Sequence, residues 1–331
     1  MIYPPFLQNG SVIGVTAPSL RVTAEDDKRR FESGVRNLAG QGYKVIFTDS
    51  VFSDGEESSP PDVRIRELKE LFSDEKVRFI SLAKGGFGES EIIPGMDWDL
   101  MGSNPKWVQG YSDNTILVFK YTVDGDVATI YGSNFGDYGM VPWHRSVSEN
   151  IEILSGRRTG QVSFDHHETG FHDRITGTEP FQDDADTKWV SLQGDTEFSG
   201  RMIGGCMDVL KWFIDNGGAD VPGFIRRYRG DSFIWYMETY DLPYPDMKDM
   251  FSRMASEGWL ERVSGFIFGR PFDYPGEDYI GDVCSLLSDY DVPKVFDADI
   301  GHLAPRMTMI NGAYSKVAVS SGKGKIEYDF R

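Results

Sequence analysis

Short runs of β-branched and aromatic residues alternate with amphipathic stretches from the start of the chain to about Tyr131, and that alternation admits few architectures. The runs at 12–16, 44–47, 78–82, 107–109 and 128–131 read as strands. Segments 24–38 and 62–72 place their apolar residues three and four positions apart, the period of a helix laid against a sheet. Successive β/α units of this kind wind into a doubly wound, mostly parallel sheet. After Gly200 the regular pattern resumes, with helices expected at 206–214 and 247–258 and strands at 233–236 and 265–268. The fold class expected is therefore α/β, an N-terminal doubly wound domain plus a smaller C-terminal α/β domain. A chain of 331 residues also exceeds what one core usually supports.

Residues from about 133 to 200 are rich in Asp, Gly, His and Thr and carry weak periodicity, so they read as an irregular connector. Long loops inside compact proteins are commonly functional. The division that follows is 1–165 for the first domain, 166–200 for the connector and substrate loop, and 201–331 for the second domain.

A hydrophobic fraction of 40% and an aromatic fraction of 13% are ample for packed cores. Fifty-two acidic against thirty-four basic residues leave a formal charge of −18, which repels phosphate backbones and anionic membrane surfaces. Neither a nucleic-acid polymer nor a membrane is an expected partner. Cys206 and Cys284 read as reduced core residues. The opening Met1-Ile2-Tyr3-Pro4-Pro5 lacks a basic leader and the apolar run 12–17 is too short to span a bilayer, so the expected location is cytoplasmic.

The stretch from Asn104 to Thr115 runs a short apolar strand into Gly110-Tyr111-Ser112-Asp113 and then a helix. A serine on a tight strand-to-helix turn exposes its hydroxyl beside free helix N–H groups, the arrangement a nucleophile needs next to a developing oxyanion. Ser112 or Asp113 would serve equally as a plain helix cap. Lys84-Gly85-Gly86-Phe87-Gly88 follows a strand, and its paired glycines allow close backbone approach to a ligand or form an ordinary turn. It lacks the order of a nucleotide-binding loop.

Of the five histidines, His144, His166, His167 and His172 lie in the irregular middle, and His302 stands in a loop between two expected strands. Glu238 closes the apolar strand Phe233-Ile234-Trp235-Tyr236-Met237, at the carboxyl end where α/β proteins assemble sites. Each has a bland reading too, a surface or core histidine and a structural ion pair. The pair His166-His167 has no third ligand at convincing spacing, so no metal is expected.

Taken in order, these residues resemble the LD-carboxypeptidases and the related microcin C immunity peptidases. The resemblance is carried by Val15-Thr16-Ala17-Pro18-Ser19, Lys84-Gly85-Gly86-Phe87-Gly88, Asn104-Pro105-Lys106 with Gly110-Tyr111-Ser112-Asp113, Gly204-Gly205-Cys206, Met237-Glu238-Thr239, Gly265-Phe266-Ile267-Phe268-Gly269-Arg270 and Gly301-His302. It implies a Ser112–His302–Glu238 triad, backbone N–H donors of Gly86 and Asp113 as oxyanion hole, and a homodimer; Gly85 is expected to bind substrate, and no cofactor is expected. Lys84 and Phe87 replace the Arg and Tyr of many carboxypeptidase members, a change that backbone donors tolerate.

Two substrates are then open, and the reading favours the second. One is the terminal bond to D-alanine in a recycled cell-wall tetrapeptide. The other is the amide-type bond joining an aminoacyl or peptidyl group to a nucleotide. The segment around Phe181 and Trp189 resembles the immunity branch, in which aromatics stack on a base; both could equally pack inside the protein. Outside this class, a non-catalytic small-molecule binding protein remains compatible with two α/β domains and a cleft.

Overall fold

The computed structural model describes residues 1–53 and 57–331. The first nine elements are β1 (Val12–Thr16), α1 (Glu25–Gly40), β2 (Lys44–Phe47), α2 (Pro61–Ser73), β3 (Val77–Leu82), α3 (Trp98–Ser103), β4 (Trp107–Gly110), α4 (Thr115–Val123) and β5 (Thr129–Tyr131). All the pairings among these strands are parallel. The central strands β3 and β4 are buried on both faces, and their near-continuous apolar sequence follows from that.

The middle segment is more regular than its composition suggests. It contains α5 (Arg145–Leu154), β6 (Gly160–Val162), β7 (His166–His167), β8 (Ala185–Asp186) and β9 (Val190–Ser191). The expectation of an irregular connector fails most clearly at α5, where Val147, Ile151 and Leu154 form a buried stripe and His144 Nδ1 caps the Ser146 N–H. Polar residues around this stripe mask it when composition is averaged over the segment.

Next come β10 (Thr196–Cys206), α6 (Met207–Asn216), α7 (Val221–Arg227), β11 (Phe233–Glu238), α8 (Tyr244–Ser256), β12 (Val263–Gly269), α9 (Tyr279–Leu286), β13 (Lys294–Ala298), β14 (Met309–Asn311), β15 (Tyr314–Ser320) and β16 (Lys323–Asp329). Cys206, expected to open a helix, is the last residue of β10. The parallel run β10-β11-β12-β13 is flanked by antiparallel β15, β16 and β6 on one side and β9 on the other. In β16 the alternation of exposed and buried residues marks a sheet with one wet face.

Sheet membership does not follow chain order. β6 and β9 join the second sheet, and β14 returns to pair antiparallel with β5, giving the first sheet the order β14-β5-β4-β3-β1-β2. Helix α4 is apolar on nearly all sides because two cores claim it. Leu117, Val118 and Tyr121 enter the core of the first sheet, while Ile116, Phe119 and Val123 enter that of the second. Burial of a side chain such as Phe119 contributes about 1.5–3 kcal/mol. The turn carrying Ser112 leads directly into this wedge. Among the described residues no helix is long and apolar enough to cross a membrane.

Candidate active site

Beyond β4, Tyr111 is extended (φ −138°, ψ 177°) and Ser112 turns into the left-handed region (φ 66°) before the chain enters a short 3₁₀ turn and α4. A serine held there is strained and persists only because its surroundings over-determine it. Asn114 supplies part of that constraint, its Nδ2 donating to Asn134 Oδ1 (2.9 Å) and to the Lys84 carbonyl (3.1 Å). The glycine loop after β3 is thereby drawn against the elbow after β4.

A Cβ on Gly85 would lie 2.8 Å from Ser112 Cβ and 3.1 Å from its Oγ. Gly85→Ala is therefore expected to move the serine, and misplacement of about 1 Å costs on the order of 10²-fold in rate. Steady-state kinetics beside a melting curve check this; a variant with full activity would mean that the loop yields instead.

His302 Nε2 stands 3.0 Å from Ser112 Oγ, and its Nδ1 stands 2.9 Å from Glu238 Oε2. A proton on Nδ1 donated to the carboxylate leaves Nε2 free to accept from the serine. Glu238 is fully buried at the end of β11, and His302 follows β13 in a loop only 5% exposed at the ring. The backbone at Gly301 (φ 101°) passes so close that a Cβ would fall 2.5 Å from Glu238 Oε2. Arg306 braces the loop from behind, donating to the carbonyls of Gly301 (2.7 Å) and His302 (3.1 Å) and to Asp137 Oδ2 (2.8 Å), with its guanidinium 4.2 Å from the Tyr111 ring centroid.

Tyr131 was not singled out by the sequence. Its hydroxyl donates to Glu238 Oε1 and accepts from the Ser112 N–H (3.2 Å), joining the acid to the nucleophile's own backbone. Burial, reinforced by the charge of Glu238, pushes the phenol well above its ordinary pKa and keeps it a donor.

Gly86 (φ 127°) has no room for a side chain, since a Cβ would meet Leu20 Cγ at 2.3 Å. The Asp113 carboxylate turns back into the protein, accepting from Ser19 Oγ (2.7 Å) and from the Glu89 N–H (3.0 Å). Glu89 is fully buried beside it, and both its carboxyl oxygens lack a partner among the described residues. Burial, then the neighbouring Asp113, raises the Glu89 pKa well above its usual value, and burial raises that of Asp113.

The cleft over Ser112 has a volume of about 470 Å³ and is walled by Gly85, Gly86, Val209, Phe171 and Tyr240, with Asp208 and Asp241 at one side. Tyr240 meets the His302 ring edge-on (4.9 Å between centroids) and stacks on Phe272 (4.7 Å), which in turn faces Phe171 (4.4 Å). Asp208 orders the Tyr240 loop by accepting from Thr239 Oγ1 (3.0 Å) and the Tyr240 N–H (3.0 Å). The only signal for these aromatics was their placement just after a strand end and within the middle segment.

Trp189 and Phe181, expected to line the substrate site, do not line this cleft. Trp189 is 1% exposed, and its Nε1–H donates to Asp299 Oδ2 (3.1 Å) at the root of the His302 loop. The polar run around it misled, because the indole turns inward while its neighbours face solvent. Phe181 is half-buried against the first core and the His144 ring, 5.6 Å between centroids. His166 pairs with Asp186 (3.1 Å), and among the described residues no group of three or more His, Cys, Asp or Glu side chains could hold a metal ion.

An α/β pair of sheets whose strand ends converge on a serine, a histidine and a glutamate has the form of a hydrolase, and comparison with known proteins names its family. Residues 13–132 match the LD-carboxypeptidase N-terminal domain and residues 199–317 the LD-carboxypeptidase C-terminal domain, so the chain belongs to that peptidase family. A Treponema pallidum protein named as a candidate carboxypeptidase is 31% identical, with 95% of this chain and 91% of that protein covered. The Escherichia coli microcin C7 self-immunity protein MccF is 24% identical over 91% of this chain and 88% of its own. Among solved structures, MccF in complex with aspartyl sulfamoyl adenosine has a TM-score of 0.82 at 20% identity, each chain covered to 99%, and establishes the fold.

Proposed function

We propose that this protein is a serine peptidase that cleaves an amide bond through an acyl-enzyme. The observation that carries the reading is the chain of contacts from Ser112 Oγ to His302 Nε2 (3.0 Å) and from His302 Nδ1 to Glu238 (2.9 Å). His302 takes the hydroxyl proton as Ser112 Oγ bonds to the substrate carbonyl, and Glu238 stabilises the imidazolium. The N–H groups of Gly86 and Asp113 are the donors for the oxyanion. The C–N bond then breaks, the proton passes from His302 to the leaving amine, and a water deprotonated by His302 splits the ester to release the acid.

For the substrate we favour a short peptide with a free C-terminus, ending in the D-alanine of a cell-wall tetrapeptide. The Treponema relative named for carboxypeptidase activity supports it, as does a Bacillus subtilis protein whose name assigns it to murein peptides, 29% identical over 39% of this chain and 40% of its own. Of the two aromatics on which a nucleotide reading rested, Trp189 is turned inward and Phe181 is half-buried against the first core, so neither supports that reading here. The aromatic wall of Phe171, Phe272 and Tyr240 supports that second reading in their place, as a surface on which a base would stack. Homodimerisation and a cytoplasmic location stand as further expectations, tested by light scattering and by cell fractionation.

Mass-spectrometric assay of the purified protein against muropeptide tetrapeptides and aminoacyl-sulfamoyl adenosines, side by side, tests the proposal. Activity should survive EDTA, because the serine, histidine and glutamate supply the nucleophile and the base without a metal. Labelling by a fluorophosphonate that is lost in Ser112→Ala separates the enzyme from a mere binding protein; loss of activity on chelation, restored by zinc, would end the serine reading.

A further inference from the structure

Beside the catalytic cleft lies a second cavity of about 210 Å³, and the two share Lys84, Gly85, Tyr111 and Phe171. Its charges do not cancel. Lys84 is paired with Asp27 (2.6 Å) and Arg306 with Asp137 (2.8 Å), while His172 is held by Asp184 (2.5 Å) outside the lining. Glu168 spends one carboxyl oxygen on the Gln182 N–H (2.8 Å), and burial raises its pKa against the opposing pull of Arg306, His172 and Arg174.

Four cations face three carboxylates, and two of the guanidinium groups, those of Arg30 and Arg174, form no ion pair among the described residues. Arg30 is 1% exposed and donates only to neutral carbonyls, from Nε to Gly136 (2.7 Å) and from Nη1 to Gly177 and Glu179 (both 3.0 Å), leaving Nη2 buried with no partner. Burial and the nearby Arg174 lower its pKa to about 10, so it remains a cation at neutral pH. Arg174, half-buried in the same lining, forms no hydrogen bond or ion pair among the described residues. A buried unsatisfied donor is costly, and one beside a second unpaired cation is poised for an anion to occupy.

We infer that this cavity is the subsite for the free terminal carboxylate of the residue released by cleavage, with Arg174 as its principal donor and Arg30 Nη2 behind it. The assignment rests on the proposed peptidase reading. The cavity shares Gly85 and Tyr111 with the cleft over Ser112, and a Cβ on Gly85 would lie 3.1 Å from Ser112 Oγ, so a carboxylate seated there belongs to the same substrate as the bond to be cut. An amide fits less well, because a neutral terminus leaves both cations unpaired.

The test has a binding arm that needs no catalysis and an activity arm that does. NMR titration of the Ser112→Ala protein with N-acetyl-D-alanine, N-acetyl-D-alaninamide and adenosine monophosphate should give at least roughly tenfold tighter binding of the acid than of its amide. Arg174→Gln, a change at a partner-free side chain, should abolish that preference without lowering the melting temperature or altering binding of the nucleotide. In the activity arm, the wild type should prefer a peptide acid to the matching terminal amide by roughly tenfold or more in kcat/KM. Arg174→Gln should erase that preference by lowering kcat/KM for the acid to the level of the amide.

Equal affinity for acid and amide in the Arg174-bearing protein would overturn the subsite, as would an Arg174→Gln variant that loses the nucleotide instead of the acid. If no peptide is hydrolysed yet the acid preference is present and depends on Arg174, the catalytic reading falls and the subsite stands. If hydrolysis proceeds with acid and amide cut equally, the reverse holds.

Discussion

Ser112→Ala lowers turnover on the order of 10⁴- to 10⁶-fold, with the melting temperature scarcely moved. Serine and alanine bear the same Cβ at φ 66°, so the substitution neither adds nor relieves backbone strain and removes only the hydroxyl that meets His302 Nε2 at 3.0 Å. His302→Ala should cost a similar factor, and Glu238→Ala somewhat less, since the histidine keeps part of its basicity without an orienting acid. The Ser112/His302 double variant should be scarcely slower than either single one, because each already removes the whole catalytic unit. Burst kinetics and a thermal melt on each protein decide the matter. A folded Ser112→Ala enzyme with near-normal turnover, or losses that multiply in the double variant, would sink the mechanism.

Trp189→Ala is expected to destabilise the protein by about 3–5 kcal/mol, the cost of truncating a large buried aromatic. Gly324 packs against this indole so closely that a Cβ there would sit 2.1 Å from Trp189 Cε3, so the cavity has little freedom to collapse. The lost Nε1–H also leaves Asp299 Oδ2 with only the Phe164 N–H (3.1 Å). Asp299 anchors Arg270 (2.8 Å) and begins the segment that carries His302. Activity on peptide and nucleotide substrates should therefore drop together, alongside a melting temperature lower by several degrees. A loss confined to nucleotide substrates, at unchanged stability, would return Trp189 to the substrate site.

Strands β1 to β5 could be read in the sequence because each is a compact apolar run, and their observed bounds differ from the expected ones by one residue at most; β14, which completes that sheet from far along the chain, was not expected there. Strand ends carrying Ser112 and Glu238 could be picked out for the same reason. What could not be read depends on contacts between residues far apart in the chain. His302 looks like any loop histidine until β13 and β14 deliver it to the seam, and Tyr131 looks like the end of a short strand until its hydroxyl is seen between Glu238 and the Ser112 N–H. Trp189 sits after Asp183-Asp184-Ala185-Asp186-Thr187-Lys188, where local polarity says nothing about which way an indole points. Arg30 falls on an amphipathic helix where an arginine would ordinarily face water, yet it is buried under the turn at Gly136 and Gly177.

The return of β14 to the first sheet makes the His302 segment a tether with its two ends sewn into different sheets, at β13 and at β14. Glu238 belongs to one sheet, Ser112 to the other, and the base hangs on the strap between them. Any breathing motion that parts the sheets by even an ångström or two must stretch the strap and pull the imidazole off one neighbour or the other. Turnover is consequently a gauge of how tightly the two halves are closed. Mild denaturant should extinguish it at concentrations where circular dichroism still registers both sheets intact, a gap that widens with substitutions along the α4 wedge.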